Sequence, residues 1–550
     1  MTTIAELVRA RAGDDTIGLR FEDDAWTYAE IVQAAADRAA LLRALRRPGP
    51  FHIGVLLDNV PEFPLWLSAA ALTGATIVGI NPTRRGAELQ RDITHTDCQL
   101  IVTESVHRPL LDGLDVGLDA DRTLVVDEPS YHEGLAPHTG APLPDVEITE
   151  GDLYLLLFTS GTTGAPKAVL CSQGRLAGIG SIVAQMFELT SKDVCYAAMP
   201  MYHSNALMAG WAPALAGGAT VALRRRFSAS GFLPDVRRYG VTFFNYVGKP
   251  LSYVLATPER PDDIDNPLRR VFGNEAADLD IDRFARRFGC QVMDGYGSTE
   301  GGAAVTRSPD MPPGSLGRAP EGTVVLDPET EEECEPAHFD DKGVLLNADQ
   351  SIGELVNRLG TAGFEGYWRN DEANAARTRD GMYWTGDLAY KDEQGFVYFA
   401  GRDFEWLRVD GENFAAAPVE RILARFPDVV VAAVYAVPDP GVGDQVMAAL
   451  QLAPGATFDP EAFAGFLERQ PDLGTKWAPR FVRVADDELP MTPTAKVLKR
   501  VLRRERWETS EPVWWRPTRH EPYRRLTADD VDALTREFEA RGRSAALAAM

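Results

Sequence analysis

From Ile53 onward, short apolar segments alternate with longer segments whose apolar residues recur at helical spacing. Strands are predicted at IGVLLD, ATIVGI and QLIVTE, and helices at PEFPLWLSAAALTG and GAELQRDITHT between them. The alternation returns at LYLLLF, TVALRR, VTFFNYV and CQVMDGYG. Strands separated by helices form parallel sheets whose two faces are both covered. The pattern therefore predicts an α/β fold in which a large N-terminal domain contains parallel αβα sheets.

The pattern changes towards the C-terminus, where short apolar segments such as GVLLN, GELV and GFVYFAGR lie between glycines. We expect a small β-rich subdomain over residues 313–401, inside an N-terminal domain that spans 1–401. Residues 402–405 are predicted to form a hinge. Residues 406–508 are predicted to form a small, mobile α+β domain with one more βαβ-like stretch.

Residues 509–550 are predicted to be a C-terminal extension that carries a docked helix. Thr527 followed three positions later by Asp530 is typical of a capping box at a helix N-terminus. Val531, Leu534 and Phe538 share one face of that helix, which favours packing against the body of the protein.

Composition narrows the class of protein. The 550 residues include 81 Asp or Glu and 56 Lys or Arg, for a net charge of −25, which repels nucleic acids and anionic membrane surfaces. An anionic substrate therefore needs local capture. The five cysteines form no CxxC pair, which excludes a zinc-binding pattern and indicates the reducing cytoplasm. No signal peptide and no apolar run of about 18 residues is found, so no transmembrane segment is expected.

The segment LLFTSGTTGAPKAV places a loop of small residues directly after a predicted strand. A Walker A loop has its lysine immediately after the second glycine, whereas Lys167 comes three residues after Gly164, so that motif is excluded. Glycines and hydroxyls at the carboxyl end of a strand nevertheless suit a phosphate group. The candidates are Thr159, Ser160, Gly161, Thr162, Thr163, Gly164 and Lys167. For this loop alone, a flexible turn without a ligand is an equal alternative.

Further segments occur in a fixed order after this loop: DGYGSTEGG, YWTGD, GR and LPMTPTAKVLKRVLR. Together with TSGTTGAPK, this series resembles the adenylate-forming superfamily of acyl-CoA synthetases, luciferases and adenylation domains. The segments PMYHSNALMAGWAPALAGGATVALRRRFSAS, YVGKPLSYVLATP, GNEAAD and GENFAAAPVE are similar to the branch of very-long-chain acyl-CoA synthetases and fatty-acid transport proteins. Actinobacterial ligases for fatty acids and sterol side chains share this resemblance, which extends over nearly the whole chain.

The resemblance implies a reaction in two halves. A carboxylate first attacks the α-phosphate of ATP, and the thiol of coenzyme A (CoA) then displaces AMP to form a thioester. The loop over 159–167 would hold the β- and γ-phosphates. Glu300 would bind Mg²⁺ with Thr159 beside it, which suits the preference of this cation for oxygen ligands. Thr299 would donate to the α-phosphate, and Lys496 would reach the α-phosphate and the carboxylate during adenylation.

The resemblance also assigns residues to the nucleoside. Asp387 would bind both ribose hydroxyls, as a two-oxygen acceptor can, and Arg402 would be a second ribose contact. The adenine-binding segments of the family correspond to Asn274, Glu275, Asp294, Gly295 and Tyr296.

Five positions bear on the acid, the hinge and CoA. His203 is a candidate for the acyl site, with a buried structural histidine as the equal alternative. Leu207 stands where some long-chain synthetases have a gating tryptophan, and the alternative is an ordinary core leucine. Phe404 stands at the family's hinge pivot, where relatives have Asp, Lys or Gly. Gly411 and Asn413 are candidates for the side of the site that faces CoA. Many relatives have an arginine at the position of Asn413.

The sequence thus predicts a Mg²⁺- and ATP-dependent ligase that joins a hydrophobic acid, a long-chain fatty acid or a sterol side-chain acid, to CoA. One alternative is an acyl-AMP ligase that delivers the adenylate to a carrier protein. Another is a non-catalytic acyl-binding or transport protein, which would gain nothing from an intact Mg²⁺–ATP site. No nucleic acid is expected as a partner. Peripheral contact with a membrane, and the choice between monomer and homodimer, remain open.

Overall fold

The computed structural model describes residues 2–159, 167–276, 278–308, 310–341, 343, 345–361, 363–401, 406–409, 412–441, 444–474, 476–492, 496–518, 521–544 and 547. At 278, 349, 406, 408, 412, 413 and 415 the description is limited to the backbone. The predicted hinge over 402–405 lies outside these residues.

The strands of the N-terminal region are β1 (Ile17–Phe21), β2 (Asp24–Thr27), β3 (His52–Leu56), β4 (Thr76–Gly79), β5 (Cys98–Thr103), β6 (Thr123–Val125), β7 (Leu153–Thr159), β8 (Lys167–Ser172), β9 (Val194–Ala197), β10 (Thr220–Leu223), β11 (Phe243–Val247), β12 (Arg270–Asn274), β13 (Gln291–Gly297) and β14 (Ala304–Thr306). The α-helices are α1 (Ile4–Arg9), α2 (Tyr28–Leu45), α3 (Glu62–Thr73), α4 (Gly86–His95), α5 (Pro129–Leu135), α6 (Gln173–Met186), α7 (Ala212–Gly217), α8 (Ala229–Tyr239), α9 (Pro250–Leu255) and α10 (Asp278–Phe288). A π-helix spans Ala206–Trp211, and short 3₁₀ turns span Arg108–Leu111, Ala120–Arg122 and Ala136–His138.

These strands form two sheets. One has the order β6-β5-β3-β4-β7-β8, parallel except for the antiparallel pair β7–β8. The other has the order β14-β13-β12-β11-β9-β10-β1-β2, parallel except for its two end pairs. The main apolar core lies between the sheets and includes residues of α2, α3, α6 and α7. Two smaller clusters line the outer faces, one with α4 and one with α8, α9 and α10. The predicted α/β class is confirmed.

The remaining strands are β15 (Gly317–Arg318), β16 (Thr323–Leu326), β17 (Gly353–Asn357), β18 (Thr378–Arg379), β19 (Met382–Lys391), β20 (Phe396–Gly401), β21 (Trp406–Val409), β22 (Glu412–Ala415), β23 (Val429–Pro438), β24 (Asp444–Leu452), β25 (Phe481–Val484), β26 (Val513–Trp515) and β27 (Arg524–Arg525). The remaining helices are α11 (Ala348–Ser351), α12 (Asp371–Arg377), α13 (Ala416–Leu423), α14 (Pro460–Glu468), α15 (Lys499–Glu505) and α16 (Ala528–Ala540). Strands β15 to β20 make an antiparallel sheet over the segment predicted to be β-rich.

The C-terminal sheet has the order β23-β24-β25-β26-β27 and differs from the predicted βαβ-like stretch. β23 and β24 are antiparallel, and the parallel βαβ unit is β24–α14–β25. The sequence pattern missed β24 because DQVMAALQL is rich in good helix formers. Pairing along nine residues of β23 overrides that preference.

Helix α16 begins at the predicted capping box, in which Thr527 and Asp530 exchange both expected hydrogen bonds. Its Leu534 and Phe538 are buried in an apolar cluster with β23 and β26 residues. Tyr253 of α9 packs against the same cluster, and its hydroxyl donates to Met491 Sδ at 2.9 Å. The C-terminal region therefore contacts the N-terminal region through α9.

Candidate active site

The predicted metal-binding residues come together where β7 and β13 end. Thr159 is the last residue of β7, and Glu300 lies three residues after the end of β13. The Thr159 hydroxyl is 3.4 Å from Glu300 Oε1. Tyr367 donates its hydroxyl proton to the same oxygen at 3.0 Å. Glu300 is only 9% exposed. Among the described residues, no hydrogen bond reaches Glu300 Oε2, so this oxygen is available to a ligand.

Thr299 is fixed from two sides. Its hydroxyl is 2.7 Å from Ser204 Oγ, and its carbonyl accepts from Arg175 Nη2 at 2.7 Å. The next residue but one, Gly301, has φ +77°, and a Cβ there would come within 2.4 Å of Arg175 Nη2. Glycine is therefore favoured at 301, both for its backbone conformation and for the approach of the guanidinium group.

The segments predicted to bind adenine lie side by side at the ends of β12 and β13. Asn274 Nδ2 donates to the Gly295 carbonyl at 2.7 Å. Asp294 accepts from the Tyr246 hydroxyl at 2.5 Å and from the Ala276 amide at 3.2 Å. Burial raises the pKa of Asp294 to about 7, although both hydrogen bonds act in the opposite direction. The side chains of Asn274 and Asp294 thus hold the two strand ends together.

The predicted ribose ligand Asp387 is buried within β19, and its Oδ2 accepts from the Tyr296 hydroxyl at 2.6 Å. Burial and the neighbouring Asp387 carboxylate keep the pKa of Tyr296 well above its usual value, so this hydroxyl remains a donor. The backbone amide of Asp387 donates to Thr385 Oγ1 at 3.1 Å. The predicted adenine and ribose residues are therefore directly connected.

Lys496, from the C-terminal region, reaches this site. Its Nζ lies 2.5 Å from Glu275 Oε1, and the side chains of the two residues are 41% and 45% exposed. Burial and the charge of Lys496 lower the pKa of His203 to about 4, so this imidazole is neutral near pH 7. His203 Nδ1 accepts from the Asn205 amide at 3.5 Å, which leaves the proton on Nε2. The charge of the predicted adenylation lysine therefore reaches His203.

Leu207 is 1% exposed, belongs to the π-helix and is part of the main apolar core. These surroundings favour the core alternative, and the role of a gate stays a prediction. π-Helical turns are frequent at functional sites. Here Pro213 has no amide hydrogen for a continued α-helical bond, which favours irregular geometry in the preceding turn.

Several predicted residues lie outside the described part of the chain: Ser160, Gly161, Thr162, Thr163, Gly164, Arg402, Phe404 and Gly411. Only the backbone of Asn413 is described, in β22. Lys167 is described, and its Nζ lies 5.3 Å from the centre of the Tyr367 ring.

The sequence patterns did not indicate Tyr367 and Ser204, which contact the predicted residues directly, or Arg377, which contacts Tyr367. Tyr367 stands in GYW and Arg377 in AARTR, which resemble an ordinary turn and an ordinary helix end. A signal for Ser204 was present, because it follows His203 in a segment already assigned to the acyl site.

A second cluster of possible metal ligands lies elsewhere. Asp58, Glu104 and His107 place ligand atoms within 4.8 Å of one another. Arg225 Nη1 lies 2.8 Å from Glu104, and Arg226 Nη2 lies 3.0 Å from Asp58. The arginines supply the positive charge that the carboxylates need, so this cluster is an ion-pair network between the two large sheets.

Comparison with known proteins decides the family. A family model described as "AMP-binding enzyme" matches residues 7–368, and one described as "AMP-binding enzyme C-terminal domain" matches residues 418–496. The chain belongs to the AMP-binding enzyme family. The adenylate-forming superfamily predicted from the ordered motifs is thereby confirmed.

Relatives of this AMP-binding enzyme cover most of its length. Steroid-22-oyl-CoA synthetase of Rhodococcus jostii (strain RHA1) is 54% identical over 98% of both chains. Medium/long-chain-fatty-acid–CoA ligase FadD17 of Mycobacterium tuberculosis is 50% identical, over 93% of this chain and 98% of that protein. Human long-chain fatty acid transport protein 5 is 30% identical, over 86% and 72%. These relatives belong to the branch predicted from the sequence.

Solved structures of low sequence identity share the fold of this AMP-binding enzyme. ATP-bound MatB from Rhodopseudomonas palustris has a TM-score of 0.77 at 24% identity, over 91% of this chain and 98% of that one. The anthranilate CoA ligase AuaEII in complex with anthranoyl-AMP has a TM-score of 0.78 at 20% identity, over 91% and 96%. Of the described helices, none has both the length and the hydrophobicity needed to cross a bilayer.

The donor set fits a hard divalent cation. Glu300 offers one carboxylate oxygen that is not engaged by described residues, and Thr159 adds a hydroxyl oxygen. Mg²⁺ is usually held by one or two protein oxygens together with phosphate oxygens and water. Glu300 and Thr159 would therefore hold this ion between the protein and a nucleotide.

Proposed function

We propose that this chain is a Mg²⁺- and ATP-dependent ligase that converts a hydrophobic carboxylic acid, by way of an acyl-AMP, into its CoA thioester. The observation that carries the proposal is the contact of Lys496 with Glu275, because it joins the predicted adenylation lysine to a residue predicted to bind adenine. The identity of 54% with a CoA synthetase over 98% of both chains supports the same conclusion.

In the first half-reaction, a carboxylate oxygen of the acid bonds to the α-phosphorus while the bond from that phosphorus to pyrophosphate breaks. Lys496 would stabilise the negative charge that develops on the α-phosphate, and the hydroxyl of Thr299 would donate to the same group. Mg²⁺, when bound, neutralises charge on the phosphates. Asp387 would orient the ribose. His203 would line the binding site of the acid and, because it is neutral, would not form an ion pair with the carboxylate.

In the second half-reaction, the CoA thiol would lose its proton to solvent and its sulfur would bond to the acyl carbon, while the bond from that carbon to the phosphate oxygen of AMP breaks. Lys496 would not be needed in this step, because the reaction takes place at the acyl carbon and no bond to the α-phosphorus forms or breaks. We infer that the C-terminal domain, 406–508, turns on the hinge at 402–405 between the halves. The N-terminal domain, 1–401, would keep the acyl-AMP in place.

The proposed acid is a steroid acid of the kind that the name steroid-22-oyl-CoA synthetase implies, since that relative is similar over its whole length. A medium- or long-chain fatty acid is the second candidate, which the identity of 50% with FadD17 favours. The five cysteines are free thiols, and four of them are buried, which suits the proposed cytoplasmic location.

The test is a panel of acids assayed for pyrophosphate release and for thioester formation, each with and without CoA. The panel contains a steroid C22 acid, straight-chain acids of graded length and a short acid as a negative control. If the chain is a ligase, pyrophosphate release should depend on the acid, and thioester should form only when CoA is present. A preference for the steroid acid over every straight-chain acid supports the first candidate, and the reverse order supports the second.

The same panel separates the alternatives. Acyl-AMP that accumulates and is not consumed by CoA would indicate delivery to a carrier protein. Binding of acids without any release of pyrophosphate would indicate a non-catalytic acyl-binding protein and would refute the ligase.

A further inference from the structure

Arg377 connects the two ends of the predicted nucleotide site. Its Nε donates to the Tyr367 hydroxyl at 3.3 Å, and that hydroxyl donates to Glu300 Oε1 at 3.0 Å. Its Nη1 donates to the carbonyl of Trp384 at 3.2 Å, within the strand that carries Asp387. Hydrogen bonds of one guanidinium group thus connect the predicted metal ligand, Glu300, with the strand that carries the predicted ribose ligand, Asp387.

The chemistry of these groups fixes the direction of the chain of hydrogen bonds. A guanidinium group only donates, and a phenol has one proton to give, so Tyr367 accepts from Arg377 and donates to Glu300. Burial and the nearby Glu300 raise the pKa of Tyr367, which keeps its proton in place. Burial alone would lower the pKa of Arg377, but Tyr367 and Glu300 outweigh it and keep the guanidinium charged.

The backbone next to Asp387 leaves room for this arginine. Gly386 has φ +68°, and a Cβ at that position would come within 2.2 Å of Arg377 Nη1. Any other residue would have to displace the guanidinium group. The glycine of the TGD motif and Arg377 therefore depend on each other in this chain.

The two donors to Glu300 fall on one oxygen. Both the Thr159 and the Tyr367 hydroxyls are directed at Oε1, and Oε2 receives no hydrogen bond from the described residues. A carboxylate without these donors would rotate and present either oxygen. The chain of hydrogen bonds thus sets both the orientation of the ligand and its position relative to β19.

We propose that Arg377 is a positioning residue. It acts through the Tyr367 hydroxyl to hold the Glu300 carboxylate at a fixed position relative to Asp387. The predicted Mg²⁺ ligand and the predicted ribose ligand are thereby preorganised relative to each other. The proposal rests on the proposed ligase function only in taking ATP as the ligand. Neither Arg377 nor Tyr367 needs to touch the nucleotide.

The test uses Tyr367→Phe, which removes the oxygen and keeps the buried ring beside Lys167. Tyr383→Phe is the matched control, since Tyr383 is a buried tyrosine of the same apolar cluster with no hydrogen bond to Glu300 among the described contacts. Isothermal titration measures the affinity for ATP with Mg²⁺, for ATP in EDTA and for AMP. Melting temperatures verify that each variant is folded.

Tyr367→Phe should weaken binding of ATP with Mg²⁺ by about tenfold, the scale of one hydrogen bond to a charged group. Its affinities for AMP and for ATP in EDTA should match the wild type, and Tyr383→Phe should match the wild type for all three ligands. Arg377→Lys, which keeps the charge, should lose less than Arg377→Met. The Mg²⁺ concentration for half-maximal pyrophosphate release should rise in Tyr367→Phe, with a smaller change in kcat.

Equal losses for ATP with Mg²⁺ and for AMP in Tyr367→Phe would overturn the proposal, because they would indicate a general disturbance of the pocket. Equal behaviour of the two phenylalanine variants would overturn it as well. Failure of the ligase function is a separate result: the wild type would bind ATP and release no pyrophosphate with any acid. The selective loss in Tyr367→Phe would still support the positioning role in that case.

Discussion

Replacement of Lys496 by alanine separates two contributions that differ in size. The ion pair with Glu275 joins side chains that are 41% and 45% exposed, so water screens it and it contributes at most about 1 kcal/mol. That corresponds to roughly a fivefold effect on an equilibrium. A charged donor to the transition state in a water-excluded site contributes about 10²–10³ in rate. The rate of adenylation therefore distinguishes docking from catalysis.

Lys496→Ala should lower acid-dependent pyrophosphate release by about 10²–10³, while conversion of supplied acyl-AMP and CoA to thioester should change little. Glu275→Gln is the comparison variant, because it breaks the same ion pair and keeps the lysine. It should cost adenylation at most about fivefold through docking. The assay follows pyrophosphate for the first half-reaction and thioester for the second, in single turnover.

Equal losses in both half-reactions of Lys496→Ala would refute the assignment. So would a Glu275→Gln variant as impaired in adenylation at saturating ATP as Lys496→Ala, since the lysine would then matter only as a docking residue.

Three further predictions concern single side chains. Glu300→Gln should reduce turnover and regain part of it at high Mg²⁺, because the amide keeps the shape of the ligand without its charge; wild-type activity at low Mg²⁺ would exclude Glu300 as the ligand. Leu207→Trp should raise KM for a steroid acid more than for a straight-chain acid; a lower melting temperature with an unchanged ratio of kcat/KM would identify a core residue instead. Burial raises the pKa of Asp294 to about 7, above the value of about 3.9 in an unfolded chain, so the folded protein holds a proton that the unfolded chain loses. The free energy of unfolding should therefore decrease between about pH 4 and pH 7, and Asp294→Asn should flatten that dependence in urea titrations; an unchanged slope would exclude Asp294 as its source.

The sequence predicted features that depend on local patterns. Buried parallel strands are continuous runs of apolar residues. The positions of β3, β4, β5 and β7 could therefore be predicted from these runs. Thr159 could be assigned to the site because the loop after β7 is the first of an ordered series of motifs that resembles the adenylate-forming superfamily.

Features that depend on distant contacts could not be predicted. Tyr367 lies 67 residues from Glu300 in sequence. It meets Glu300 because the segment that carries it lies against β8, where Tyr367 and Val169 form an antiparallel bridge. The local sequence around Tyr367 does not differ from that around an ordinary buried aromatic residue. The use of Asn274 and Asp294 to join strand ends was hidden for the same reason, since their partners lie on neighbouring strands.

Two of the polar contacts between the C-terminal region and the rest of the protein are individually weak. A thioether is a poor acceptor for the hydroxyl of Tyr253, and the ion pair of Lys496 is half exposed to water. Such contacts bias the choice between two domain arrangements by small factors. A ligand that binds the two arrangements with even modestly different affinity can then redistribute their populations. The conversion of one bound intermediate into the next would itself be sufficient to withdraw the lysine, without a dedicated trigger.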